Sequence, residues 1–186
     1  MSPAAASTDA ELILAILERD DRNAFGELVQ RHQSKVRTVL RRLTRGDAAL
    51  ADDLAQETFV LAWRNLRAFR FEARFSTWIY RIAFNAWRSE ARKRREVSLD
   101  IDDESPPAGS EAFDLMPDVA SRVDLERALA TLSDGERAAI TACYYADLSH
   151  EEAAQALGIP LGTVKTHVMR AKAKLKARLA SKEGSR

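Results

Sequence analysis

The 186-residue chain has little of what most catalytic or secreted proteins need. Its single cysteine, Cys143, excludes an intramolecular disulfide and a cysteine-rich metal site, and its place between Ala142 and Tyr144 suits a small buried side chain. The three histidines, at 32, 150 and 167, are scattered and lack flanking metal-ligand or triad partners. No metal centre, cofactor or catalytic constellation is therefore expected. Seven glycines and five prolines are too few for a turn-rich sheet and favour helices. No run approaches the ~18 apolar residues of a membrane span. The N-terminus, MSPAAASTDAELI, has neither the basic start nor the apolar core of a secretory signal. The expectation is a soluble, cytoplasmic protein that is not an enzyme and does not insert into a membrane.

Net charge is also nearly absent, at +1, but the average hides segregation. Between Arg81 and Arg95 six cations face one acid, a net of +5. From Glu96 to Val119 there are eight acids and no Lys or Arg, a net of −8. From Lys165 to Arg186 eight cations face one acid, a net of +7. Two basic blocks separated by an acidic stretch suit two contacts to one polyanion.

Hydrophobic spacing then divides the chain. After a disordered N-terminus, 1–8, Thr8 and Glu11 make a capping box for a helix from Asp9 to about Arg19. A second helix runs from about Arg22 to Leu43 and a third from about Ala48 to Asn65, separated by Gly46-Asp47. A loop over Arg67–Phe75 leads to a fourth helix, about Thr77 to Arg95, capped by Ser76 or Thr77. Residues 96–120, with three prolines and eight acids, read as a linker of low intrinsic order. In the second domain, 121–180, Leu125, Leu129 and Leu132 suggest one helix. Ser133 with Glu136 opens another, with Ala139, Ile140, Cys143 and Tyr144 inward. Ser149 with Glu152 opens a short helix that Gly158 and Pro160 stop, and a long helix follows from about Leu161 to Ala180 before a tail, 181–186. The expected fold is all-α: two small helical domains, 9–95 and 121–180, joined by a flexible acidic linker, the second containing a helix-turn-helix.

Three surfaces carry the functional argument. On the last helix Val164, Val168, Ala171, Leu175 and Leu179 form an apolar stripe. The opposite arc presents Lys165, Thr166, Met169, Arg170, Lys172, Ala173 and Lys176. Cations mixed with small and apolar groups suit a DNA major groove, although a two-helix hairpin with a solvated basic face has the same pattern. On the fourth helix Arg81, Asn85, Arg88 and Arg92 align at helical spacing with Trp78 at their head. The preceding loop alternates Phe69, Phe71 and Phe75 with Arg70, Glu72 and Arg74. Either a buried loop or a stacking surface for unpaired bases fits that alternation. On the third helix Asp52, Asp53, Gln56 and Glu57 share one arc, a solvated face or a docking surface, and Phe59–Trp63 is apolar all round and expected to be buried.

In combination these stretches resemble the sigma-70 family, specifically its extracytoplasmic-function sigma factors. Asp53-Leu54-Ala55-Gln56-Glu57-Thr58-Phe59 through Trp63 looks like that family's core-polymerase-binding helix. Phe69 through Asn85 looks like its −10-element loop and helix. Leu132-Ser133 through Arg137, with Gly162-Thr163-Val164-Lys165 and Arg170-Ala171, looks like its −35-reading domain. The resemblance implies that Asp52, Asp53, Gln56 and Glu57 dock on the clamp coiled coil of core RNA polymerase. It implies that Phe69, Arg70, Phe71 and Arg74 hold a flipped −10 base, with Trp78, Arg81, Asn85, Arg88 and Arg92 on the same single strand. Thr163, Lys165, Thr166, His167, Met169, Arg170 and Lys172 would read the −35 duplex. Promoter DNA, bacterial core polymerase and an anti-sigma factor are the implied partners. Two departures stand out: Thr166-His167 where the family often has Ser-Arg, and Glu72 where it often has Gly. Thr163–Val168 also resembles the DNA-binding helix of LuxR-type regulators, which gives the alternative of a duplex-operator-binding regulator.

Overall fold

The structure, a computed structural model, describes residues 7–99 and 128–183. Helix α1 (Asp9–Arg19) is opened by the expected capping box: the Thr8 hydroxyl accepts from the Glu11 N–H at 3.2 Å and the Thr8 N–H donates to the Glu11 carboxylate at 2.6 Å. Asp20, in the left-handed region, ends it, and Asp21 caps α2 (Arg22–Leu43) by accepting from Asn23 and Ala24. Arg45 and Gly46, both at positive φ, turn the chain. Asp47 then caps α3 (Ala48–Asn65), accepting from the Leu50 N–H at 3.0 Å. Each such cap contributes ~1 kcal/mol.

A 3-10 turn (Leu66–Ala68) and a bent loop lead into α4 (Phe75–Leu99). This helix starts earlier than its polar residues suggest. Phe75 is buried and the Arg74 carbonyl accepts the first helical bond from Trp78, so Ser76 and Thr77 lie inside the first turn rather than capping it. It also continues past Arg95, where Glu96 reaches Arg92 one turn back. The remainder of the acidic linker, 100–120, and residues 121–127 with Leu125 of the expected helix lie outside the described residues, as do 1–6 and 184–186.

Residues 128–130 are helical, with Ala128, Leu129 and Leu132 buried. Helices α5 (Asp134–Tyr144) and α6 (His150–Leu157) both begin with complete capping boxes, Ser133 with Glu136 and Ser149 with Glu152. Gly158 sits at φ 64°, ψ 37°, a left-handed position that costs glycine nothing. Its N–H and that of Ile159 both return to the Ala154 carbonyl. Pro160 then accepts from Thr163 and Val164 to start α7 (Leu161–Glu183), which outlasts its expected end near Ala180. On α5, Ala139 and Ile140 are buried and Cys143 half-buried as the spacing predicts, whereas Tyr144 points outward at 53% exposure.

Leu12, Ile13 and Ile16 of α1 pack on α2, which buries Leu28, Val36, Val39 and Leu40 completely. Helix α4 closes this layer with Ile79, Tyr80, Ala83 and Phe84. In the second half, alanines on α5 and α6 let the helices approach closely, and Val164, Val168 and Ala171 of α7 fill the space between them. The two halves touch: α2 packs on α5 and α4 packs on α6, so the buried apolar residues form one continuous cluster. All described secondary structure is helical.

Candidate partner-docking and nucleic-acid surfaces

The polar arc of α3 is exposed at Asp52, Asp53, Gln56 and Glu57. Asp52 is fixed by Arg37 at 3.4 Å and Arg41 at 4.0 Å from α2. Beside this arc the sequence-based expectation fails. Of the apolar run 59–63 only Ala62 is buried; Phe59, Leu61 and Trp63 are half-buried and Val60 is 43% exposed. Phe59, Val60 and Trp63, together with Phe25 and Val29 of α2, line a groove of about 530 Å³ that Arg37, Asp52, Asp53 and Gln56 also border. The Phe25 and Trp63 rings, both in its lining, meet edge to face 4.9 Å apart. An apolar trough with an acidic lip suits a partner helix carrying apolar and basic side chains. The signal was present in the sequence as an apolar stretch with no polar face, but spacing alone could not say that one side lacks a covering element.

The 69–75 loop is a buried aromatic knot with one exposed member. Phe69 is 7% exposed and contacts Phe71 at 4.9 Å, Trp78 at 5.4 Å and Phe75 at 6.0 Å. Its ring therefore forms a wall and offers no free stacking face, which corrects the expectation placed on it. Phe71 is held at φ 58°, an uncommon conformation for a bulky residue, and is 45% exposed. Trp78 is half-buried against Phe75. Arg70, Arg74, Arg81, Asn85, Arg88 and Arg92 are all exposed, so the stripe exists as spaced. A cavity of about 460 Å³ lies at its head, lined by Phe69, Arg70, Glu72, Thr77, Trp78 and Arg81 from this half. Gln155 and Ala156 of α6 form its far side. One cation of the loop and one of the stripe bond to that same helix: Arg74 to Glu152, at 3.0 and 2.6 Å, and Arg88 to the Leu157 carbonyl at 2.7 Å. The Glu152 carboxyl lies below the usual range because the Ser149 N–H donates to it, and Arg74 adds to this against partial burial.

On α7, Lys165, Met169, Arg170 and Lys172 are exposed, Met169 to 65%. Lys172 lies over the Tyr144 ring, 4.9 Å from its centroid. Thr163 and Thr166 are half-buried, and the Thr166 hydroxyl donates to the Gly162 carbonyl at 2.9 Å, leaving its methyl as the outward group. His167 departs from expectation. Its half-buried ring is turned to the start of α5, so close to Gly135 that a Cβ there would lie 2.9 Å from Nε2. It is a packing residue rather than a member of the exposed arc. Helix α7 is further tied to α5 by Lys174, whose Nζ reaches the buried Glu136 carboxylate at 2.7 Å. Desolvation pushes the Glu136 carboxyl upward, but bonds from Lys174 and Ser133 outweigh it and hold the group below its ordinary value.

Two family profiles match the chain. The family profile described as Sigma-70 region 2 matches residues 28–97, and that described as Sigma-70, region 4 matches 122–175. The chain is 35% identical over 169 residues to the ECF RNA polymerase sigma factor SigM of Mycobacterium tuberculosis, covering 90% of this chain and 83% of that one. It is 33% identical to the ECF RNA polymerase sigma-E factor of Haemophilus influenzae, covering 89% and 92%. Among solved structures it resembles CnrH in complex with the cytosolic domain of CnrY, with a TM-score of 0.69 at 29% identity over 93% and 97% of the chains. It also resembles the sigma factor RpoE bound to the anti-sigma factor NepR from Bartonella quintana, with a TM-score of 0.70 at 27% identity over 84% and 96%.

Proposed function

The chain belongs to the extracytoplasmic-function group of the sigma-70 family, and from that premise we propose how its surfaces divide the work of starting transcription. It is a sigma factor: it binds core RNA polymerase, directs it to promoters and is controlled by an anti-sigma factor. It works in the cytoplasm and leaves polymerisation chemistry to the polymerase. Residues 9–95 carry core binding and the −10 contacts, 96–120 link, and 121–180 carry the −35 contacts. Core polymerase docks on Asp52, Asp53, Gln56 and Glu57 and in the apolar trough beside them. The −10 strand runs along Arg81, Asn85, Arg88 and Arg92. Base flipping costs a few kcal/mol, which stacking on Phe71 and Trp78 and phosphate contacts to Arg70 and Arg74 offset. Lys165, Met169 and Arg170 enter the −35 major groove, with Lys172 on the phosphates and the Thr163 hydroxyl and Thr166 methyl at the edge.

The observation that carries this reading is the order along one chain of an acid-lipped apolar trough, a cationic stripe beneath an aromatic loop, and a basic helix-turn-helix. A LuxR-type regulator accounts for the third feature alone and leaves the region 2 match over 28–97 without a role. Reconstituted transcription with purified core polymerase on a promoter library tests it. Promoter-specific transcripts are expected. Failure to bind core polymerase at micromolar concentration would sink the assignment.

A further inference from the structure

One residue of the 67–75 loop works against a cationic nucleic-acid surface. Arg67, Arg70 and Arg74 attract phosphate, and Glu72 among them repels it. Glu72 is exposed, so packing does not hold it there. It lines the cavity of about 460 Å³ at the head of the stripe, which Phe69 and Trp78 wall and Arg70 and Arg81 border. Thr77 lines the same cavity from the first turn of α4. It is only 3% exposed, and its hydroxyl has no hydrogen-bond partner among the described residues. A helical threonine can return its hydroxyl to the carbonyl one turn back, as Thr58 does to Leu54 at 2.7 Å and Thr166 to Gly162 at 2.9 Å. Thr77 does not. A buried hydroxyl without a partner costs stability, and in a cavity wall a ligand atom completes it.

From this we infer that Glu72 and Thr77 read the edge of the base that enters the cavity, and that the pair selects a base with an exocyclic amino group against thymine. The inference rests on the −10 assignment given above and names the class of base that the pocket takes. An ionised carboxylate only accepts hydrogen bonds. The amino groups of cytosine, adenine and guanine donate to it, whereas thymine sets a carbonyl oxygen on each side of its one ring N–H. Thymine therefore places lone pairs against the carboxylate. The Thr77 hydroxyl has two accessible rotamers in a helix, and one turn about its Cα–Cβ bond lets it donate to an acceptor atom beside the amino group. The repulsion that Glu72 exerts on phosphate falls on every strand alike. It thus lowers general affinity while widening the difference between sequences, as a device for specificity does. Glu72, Thr77, Trp78 and Arg81 all belong to the first half, so the reading needs nothing from Gln155 or Ala156 across the cavity.

The test uses the full chain reconstituted with core polymerase. A promoter selected from the library above is randomised across its −10 element, and the DNA that the holoenzyme retains is sequenced. With the wild type, thymine should be depleted about tenfold against the amino-bearing bases at one position, the usual discrimination of a single base-edge reader. Glu72→Gln keeps the size of the side chain but adds a donor that accommodates a carbonyl. It should abolish the depletion at that position and leave the preferences at the other −10 positions and at the −35 element as they were. Thr77→Val should weaken the same depletion while raising the urea midpoint, because it removes an unsatisfied hydroxyl. A residue that serves packing alone does not move the two readouts in opposite senses. Should Thr77→Val fail to fold, Glu72→Gln decides, since its site is exposed. A wild type with no position depleted in thymine overturns the inference, as does depletion that survives Glu72→Gln. So does a variant that binds all sequences more tightly with its base preferences intact, which makes Glu72 an ordinary surface charge. A wild type that does not bind core polymerase refutes the sigma-factor reading instead, so the two failures are distinguishable.

Discussion

Replacing Gly135 tests how α7 is seated on α5. Gly135 lies in the first turn of α5, where alanine ordinarily adds ~0.5–1 kcal/mol of helix stability. Here, however, a Cβ would stand 2.9 Å from Nε2 and 3.0 Å from Cε1 of His167, closer than side chains tolerate. The ring has to move, and it is half-buried between α5 and α7. Overpacking of that kind costs ~1–3 kcal/mol. The clash therefore exceeds the propensity gain, and Gly135→Ala should lose about 1 kcal/mol. The double-mutant cycle gives the sharper result. Once His167→Ala has emptied the space, Gly135→Ala should become stabilising by ~0.5–1 kcal/mol, a sign change with a coupling of about 1.5–2 kcal/mol. Urea unfolding of the four proteins, checked for a common slope, measures it. If Gly135→Ala stabilises the chain with His167 present, the ring swings out at little cost and the close seating is wrong.

Further perturbations separate the surfaces. Val60→Glu, at a position already 43% exposed, should leave the melting temperature nearly unchanged but weaken core-polymerase binding by ~1–3 kcal/mol if the trough is the docking surface; a pull-down titration measures it. Lys165→Ala and Arg170→Ala should each weaken −35 recognition by ~1–3 kcal/mol where they read a base edge, and unchanged promoter selection in both means the reading face is wrong. Burial, with a smaller push from Asp147, raises the Tyr80 phenol to about 12. The unfolded phenol ionises near 10 and the folded one does not, so stability is unaffected below pH 10 and falls as pH rises from there to about 12. The loss is ~1–2 kcal/mol after allowing for solvent screening, and urea unfolding of Tyr80→Phe should lack that component.

Much of this was readable in the sequence because helix ends and helix faces are local. Thr8 with Glu11, Ser133 with Glu136 and Ser149 with Glu152 bond only within one turn, so each cap follows from residue types at fixed spacing. The exposure of Arg81, Asn85, Arg88 and Arg92 follows from the 3.6-residue period in the same way. What failed depended on packing partners outside the element itself. Val60 is exposed because α2 and α3 leave a trough uncovered, Phe69 is buried because Phe75 and Trp78 close over it, and His167 turns inward because Gly135, 32 positions earlier, provides space. Period gives direction around a helix axis but not what stands opposite.

The same limit explains which helix of the helix-turn-helix meets the first half. Helices α4 and α7 both carry exposed cations, and packing one on the other would set like charges together with no counter-ion. Helix α6 has no Lys or Arg, carries Glu151 and Glu152 in its first turn, and ends in carbonyls that bear partial negative charge. Facing α4, it offers Glu152 to Arg74 at its start and the Leu157 carbonyl to Arg88 at its end, with Ala153 and Ala156 small enough to allow close approach. The arrangement leaves Lys165, Met169 and Arg170 of α7 facing solvent, and Arg81, Asn85 and Arg92 of α4 stay exposed beside α6, so the contact between the halves uses the acidic helix and spares both cationic faces.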